Sequence, residues 1–177
     1  MKVTKLAIPE VLLIEPSIYL DDRGLFFESF NEDKFNQKTG LNIKFVQDNI
    51  SYSKKGVLRG LHFQLPPFEQ AKLVQVLQGR VLDVAVDIRK DSPTYSQYVS
   101  VELSVENHKH LFIPRGFAHG FLALTDDVLF SYKCDNYYTP KYDSGIIYND
   151  PSIAIDWGVN QNFIISDKDL NLNSLLI

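Results

Sequence analysis

Residues 57–64 read VLRGLHFQ. Regular strand alternation places Leu58, Gly60, His62 and Gln64 on one face and Arg59, Leu61 and Phe63 on the other. An arginine, a glycine and a histidine are unusual cargo for a hydrophobic strand. Glycine inside a strand marks a bulge or a close approach, so a bulge at Gly60 is expected, and it would re-aim Arg59. A second stretch, PRGFAH at 114–119, also ends on a histidine.

Outward from these two stretches the chain reads as mostly β. Residues 73–77, 81–88, 98–105, 110–113, 121–124 and 128–134 are short runs rich in Val, Ile, Leu, Phe and Tyr. Gln78-Gly79, Asp91-Ser92-Pro93, Pro114-Arg115-Gly116 and Thr125-Asp126-Asp127 punctuate them as turns. Many short strands at this spacing predict a sandwich or barrel. In 81–88, Asp83, Ala85 and Asp87 alternate with Leu82, Val84, Val86 and Ile88, which predicts one wet face. One helix is expected from Asn31 to about Gly40, with Asn31 as N-cap, Glu32 and Asp33 in the first turn and Gly40 at the left-handed end. The tail from about Asn160 to Ile177 predicts a loop with one helical turn. No repeat, low-complexity tract or linker interrupts the chain, so one domain over 1–177 is expected.

Composition narrows the function. The 177 residues are 45% hydrophobic and 23% charged, in the range of a soluble globular domain. The net charge of -4 argues against a general nucleic-acid binder. A local cluster of cations could still hold a small anion. The single cysteine, Cys134, allows no internal disulfide and fits a reduced, cytoplasmic setting. Pro9 and Glu10 break the N-terminal apolar run, so neither a signal peptide nor a membrane span is expected.

The spacings G-x5-H-x-Q and P-x-G-x2-H resemble the paired motifs of the cupin superfamily. The resemblance implies a mainly all-β fold: a cupin-like double-stranded β-helix, or jelly-roll barrel, with a few short peripheral helices. Metal-binding cupins carry H-x-H and then Glu in the first motif. Here Gln64 stands at the second histidine position, and Glu69 lies near the acidic one. Glutamine is a poor ligand for transition metals, so no metal is expected. His62, Glu69 and His119 remain the ligand set of a metal-dependent alternative.

A longer pattern is more specific. QDNISYSKKGVLRGLHFQLPPFEQAKLV, with DDRG upstream and PRGFAHGF, FSYKCDNYY and SDKD downstream, resembles the dTDP-4-dehydrorhamnose 3,5-epimerase family from about Asp21 to Asp169. The resemblance implies a cofactor-independent epimerase that inverts C3 and C5 of dTDP-4-dehydro-6-deoxy-D-glucose. The product is dTDP-4-dehydro-L-rhamnose, a precursor of cell-surface polysaccharide. The C3 and C5 hydrogens lie α to a carbonyl, so inversion needs a base, an acid across the ring and a cation near the C4 oxygen. It needs no metal or redox cofactor.

By this resemblance His62 is the base, Asp169 its orienting carboxylate, Tyr132 the acid and Lys72 the enolate-stabilising cation. The plainer readings are an interior histidine, a solvated terminal loop, a core tyrosine and a surface lysine. Substrate contacts are implied for Arg23, Phe26, Glu28, Gln47, Asp48, Asn49, Arg59, His119, Tyr138, Asp143 and Lys168, with Tyr138 stacking on thymine and Phe26 on its other side. The family also implies a homodimer with exchanged N-terminal strands, so that Phe26 serves the neighbouring site. Asp143 stands where the family often has Glu, and Ile147, Tyr148, Ile50 and Gly158 also depart from the common pattern. These departures leave single-centre epimerisation of a related nucleotide sugar open. A sugar-nucleotide binding module without catalysis is the alternative from a different class.

Overall fold

Antiparallel strands account for most of the computed structural model, which describes residues 1–158 and 162–175. In chain order they are β1 (Lys2–Lys5), β2 (Leu12–Glu15), β3 (Ile18–Asp21), β4 (Gly24–Phe27), β5 (Gln47–Ser53), β6 (Leu58–Gln64) and β7 (Lys72–Gln78). There follow β8 (Arg80–Asp87), β9 (Tyr98–Ser104), β10 (His110–Ile113), β11 (Phe117–Ala123), β12 (Val128–Cys134) and β13 (Asp143–Gly145). A six-stranded sheet has the order β1-β2-β10-β7-β12-β5, and a five-stranded sheet the order β13-β6-β11-β8-β9. The hairpin β3-β4 belongs to neither. The two sheets enclose Val74, Val81, Ala85, Leu103, Leu111, Phe121 and Phe130. Their crossing order is that of a two-sheet jelly-roll barrel.

Two smaller clusters cover the outer faces. Leu58, Leu61, Val84, Val86 and Leu122 of the five-stranded sheet pack under Ile146, Ile153 and Trp157 of the C-terminal segment. Leu12, Leu73 and Phe112 of the six-stranded sheet pack under Phe35 of helix α1 (Glu32–Thr39). That helix has the caps expected from sequence. The Asn31 side chain accepts from Lys34 N, and Gly40 sits at φ +74°. A second helix, α2 (Asp167–Leu170), is the single turn expected in the tail. Residues 159–161 and 176–177 of that tail lie outside the described residues.

β8 departs from its expected wet face. Both faces are covered, because one looks into the barrel and the other lies under the C-terminal segment. Asp83 and Asp87 are fully buried, and each has a partner. His119 bonds Asp83. Asp87 accepts from Arg89, Ser92 and Thr94. Burial alone would raise the Asp87 carboxyl, but those three donors outweigh it and hold it at about 2. β11 also starts four residues before the apolar run at 121–124, which brings His119 into the sheet.

The bulge at Gly60 is present. His62 lies opposite His119 while Arg59 lies opposite Phe121, so three steps on β6 face two on β11. Leu58 and Leu61 consequently share the outer cluster, three residues apart. Arg59 and His62 both turn into the same interior cavity. Gly60 has φ +126°, and a Cβ there would meet Gly120 Cα at 2.6 Å and His119 O at 2.9 Å. Gly60→Ala is therefore expected to lower unfolding free energy by about 2–4 kcal/mol. Chemical denaturation checks this, and an unchanged midpoint would contradict it.

Candidate active site

One end of the barrel interior is apolar, and the other collects the polar side chains. β7 and β12 contribute Lys72 and Tyr132, and β6 contributes His62. These three residues line two adjoining cavities. The outer one, of about 300 Å³, is also bordered by Gln47, Asn49, Tyr138, Asp143 and Lys168. The inner one, of about 200 Å³, is bordered by Ser51, Arg59, His119, Phe121 and Phe130. The shared residues form the neck between the two.

His62 is held from behind. Its Nε2 lies 2.7 Å from Asp169 Oδ1. The other carboxylate oxygen accepts the Gly60 backbone N–H at 3.1 Å. Asp169 comes from α2, where the Ser166 hydroxyl caps its backbone N–H at 3.2 Å. Asp169 is buried at 4% exposure, whereas Asp167 is exposed. Burial would raise the Asp169 carboxyl, but the bond to His62 and the Gly60 amide together keep it below the usual range.

Lys72 is buried, and burial lowers its ammonium pKa. Its Nζ lies 3.4 Å from the His62 carbonyl oxygen, among the walls of both cavities. Tyr132 packs beside Phe130, and burial raises its phenol. The ring follows Val128 and Phe130 along the inner face of β12, as its alternation predicts.

This assembly matches a known family. The family model for dTDP-4-dehydrorhamnose 3,5-epimerase matches residues 5–176. The chain belongs to this family. A Shigella flexneri dTDP-4-dehydrorhamnose 3,5-epimerase is 53% identical over 171 residues, covering 97% of this chain and 94% of that one. The Legionella pneumophila dTDP-6-deoxy-D-glucose-3,5-epimerase, solved with dTDP-4-keto-L-rhamnose, superposes with a TM-score of 0.95 at 48% identity. It covers 98% of this chain and 92% of that one. A 3'-monoepimerase from Streptomyces bikiniensis, solved with dTDP-quinovose, superposes at 0.89 with 34% identity. It covers 96% of this chain and 86% of that one. The barrel is the cupin-like jelly roll of this epimerase family.

The nucleotide contacts implied by the family divide into two groups. Gln47, Asn49, Tyr138, Asp143 and Lys168 come together at the outer cavity. The Tyr138 hydroxyl donates to Asp143 at 3.1 Å, and Lys168 pairs with the same oxygen. Arg59 reaches the inner cavity, where Ser53 Oγ and the Tyr52 carbonyl fix its guanidinium at 3.1 and 3.0 Å. Asp48 does not join them. Strand alternation turns it outward to Lys133, at 2.9 Å. Arg23, Phe26 and Glu28 also stay outside this chain's own cavity. Arg23 pairs with Asp21, Glu28 pairs with Lys34, and Phe26 is 68% exposed on the β3-β4 hairpin.

The alternative metal ligands are not assembled. Glu69 borders a separate cavity beside Arg89 and Gly116. His62 and His119 each commit Nε2 to a carboxylate. Among the described residues no group of three or more His, Cys, Asp or Glu converges as a metal site. Gln64 instead braces the rim. Its amide donates to the Phe68 and Tyr137 carbonyls at 2.6 and 3.2 Å and accepts from Thr139 N at 2.5 Å.

Two groups at the inner cavity went unread in the sequence: Asp83, which bonds the His119 ring, and Ser51, on the wall itself. Asp83 looked like part of a wet face, although its place two residues from Ala85 on an inward-facing strand was available as a signal. Ser51, in the quoted QDNIS run, carried no signal of its own. Its hydroxyl is the one buried side-chain polar atom without a hydrogen-bond partner among the described residues.

Proposed function

We propose that this protein inverts C3 and C5 of dTDP-4-dehydro-6-deoxy-D-glucose to give dTDP-4-dehydro-L-rhamnose, without a cofactor. One observation carries the reading: a carboxylate-backed histidine, a tyrosine hydroxyl and a buried lysine border one neck. The family relatives share the named activity, and the Legionella relative was solved with dTDP-4-keto-L-rhamnose.

The chemistry follows from the groups. With Nε2 bound to Asp169, the other ring nitrogen of His62 is left to take the proton from C3 or C5. The electron pair of that C–H bond moves onto the C4 oxygen as an enolate. The Lys72 ammonium stabilises this oxygen, and its burial away from water strengthens the attraction. Asp169 stabilises the imidazolium that forms. Tyr132 returns a proton to carbon from the opposite face, which inverts the centre. His62 and the tyrosinate then reset by exchange with solvent. Gln47, Asn49, Tyr138, Asp143, Lys168 and Arg59 hold the nucleotide diphosphate and sugar.

The single chain leaves Arg23, Phe26 and Glu28 unused, and its hairpin exposes apolar surface. Leu20 is 80% and Tyr19 64% exposed. β5 is an unpaired edge of its sheet, and Ile50 and Tyr52 on it are exposed. A homodimer that exchanges the N-terminal strands would cover these surfaces and carry the partner's hairpin to the site. Asp48, on that same edge, pairs with Lys133 in the single chain. The whole chain acts as one epimerase domain in the cytoplasm. Its lone thiol, Cys134, is buried, and burial pushes it up to about 11. No helix among the described residues is long and apolar enough to cross a membrane.

Proton NMR in deuterated water tests the reaction. Deuterium is expected at both C3 and C5, and His62→Ala should slow exchange roughly 10²- to 10⁴-fold with thymidine diphosphate binding retained. Exchange at neither centre would refute the epimerase reading. Exchange at one would make the protein a single-centre epimerase like its Streptomyces bikiniensis neighbour. For the assembly, light scattering should give twice the 20.3 kDa chain mass. A stable monomer would contradict strand exchange.

A further inference from the structure

The inner cavity is bordered by His119, the imidazole of a second imidazole–carboxylate couple that the proposed proton transfers leave unused. Nε2 of His119 lies 2.9 and 3.1 Å from the two oxygens of Asp83. Asp83 is fully buried and His119 nearly so. The pair is diagonal across two strands, since Asp83 lies opposite Phe121 and His119 opposite Ala85. Phe130 lies nearly parallel to the His119 ring, with centroids 6.1 Å apart and planes 23° apart. The ring therefore has little freedom to turn.

A carboxylate only accepts, so the nitrogen facing Asp83 carries the proton. The same ring's Nδ1 is then a lone pair. The bonds of this ring to the described residues all run through Nε2, so Nδ1 is left open to the inner cavity, which the ring borders beside Arg59 and Lys72. Arg59 and Lys72 can only donate. His62 is committed to the reacting carbons. A sugar hydroxyl placed in this compartment must give its own hydrogen to something: the Ser51 and Tyr132 hydroxyls on the same walls can rotate to donate or accept, whereas Nδ1 of His119 is an acceptor whose lone pair is fixed in direction.

We propose that Asp83 is a positioning residue for the reaction: it locks His119 in the Nε2–H tautomer, so that Nδ1 accepts a hydroxyl of the bound sugar. The role in turnover rests on the epimerase reading, but the tautomer does not. A buried carboxylate inside the barrel is thereby explained by the lone pair it creates on the far side of the ring. Asparagine at position 83 keeps the volume but brings an amide that can donate. It would permit the ring to reverse its proton, turning the acceptor toward the sugar into a donor. A hydroxyl facing Arg59, Lys72 and a third donor would then have no fixed acceptor.

Nitrogen-15 NMR of the imidazoles in the full-length protein, assigned with His119→Gln, reads the tautomer directly. The wild type is expected to carry its proton on Nε2 and Asp83→Asn to move it to Nδ1. The kcat/KM of Asp83→Asn should fall roughly 100-fold. That is less than the about 10⁴-fold loss when a carboxylate behind a proton-transferring histidine becomes an amide, because His119 here holds rather than moves a proton. Asp83→Glu, which restores an accepting carboxylate, should keep the Nε2–H tautomer. Should Asp83→Asn fail to fold, the wild-type tautomer decides alone. A wild-type proton on Nδ1, or an Asp83→Asn enzyme with wild-type kcat/KM, would overturn the proposal. Failure of the wild type to exchange C3 or C5 would instead refute the epimerase reading, and the tautomer would still be measured.

Discussion

The Asp169 carboxylate ties two distant parts of the chain together at the point where the barrel is irregular. One oxygen takes the Gly60 N–H and the other meets His62 Nε2. The first bond anchors the bulge, and the second orients the imidazole that the bulge has turned inward. Without the bulge, Arg59 and His62 would face opposite sides of β6. Without α2, the histidine would have no partner behind it. The bulge needs a glycine at 60 and another at 120, because a Cβ on either would collide with the opposite backbone. Backbone conformation and proton chemistry thus depend on the same few atoms.

The rest of the barrel supplies the electrical setting. Phe121 and Phe130, with ring centroids 4.2 Å apart, close the apolar end of the inner cavity. Lys72, Asp83 and His119 are buried there, and Tyr132 is partly buried beside them. In such surroundings each unpaired charge is costly and each aligned dipole is effective. Two carboxylate–histidine couples share the cavity, one behind each ring, and His62 and His119 stand opposite each other across β6 and β11. The couples differ in setting. The His62 side chain is one-third exposed at the neck, while the His119 side chain is 7% exposed in the interior. The exposed couple suits proton exchange with solvent, and the buried one suits fixed recognition.

Much of this was legible in the sequence. The strands from β7 to β12 followed apolar runs and turn residues. Asn31 and Gly40 marked the first helix, and Gly60 marked the bulge. Two kinds of feature were not legible. Alternation in β8 showed which residues share a face but not whether that face meets water, so Asp83 and Asp87 read as wet when both are buried. Covering segments from elsewhere in the chain decide such questions. The other kind is partnership over long separations. Residues 62 and 169 are joined only by the fold, and their pairing was implied by family resemblance rather than by any local pattern. The β3-β4 hairpin shows the same limit, because Arg23, Phe26 and Glu28 stand apart from the cavity in a single chain.

Inversion requires base and acid to act from opposite faces of the sugar. Tyr132→Phe separates them, since it keeps the ring and the His62–Asp169 couple but removes the proton donor. Incubated with the keto-sugar in deuterated water, this variant should still wash deuterium into the carbons next to the carbonyl, with the configuration retained, because His62 removes and returns a proton on one face. Normal inversion by Tyr132→Phe would contradict the account, and so would complete loss of exchange in a folded, nucleotide-binding variant.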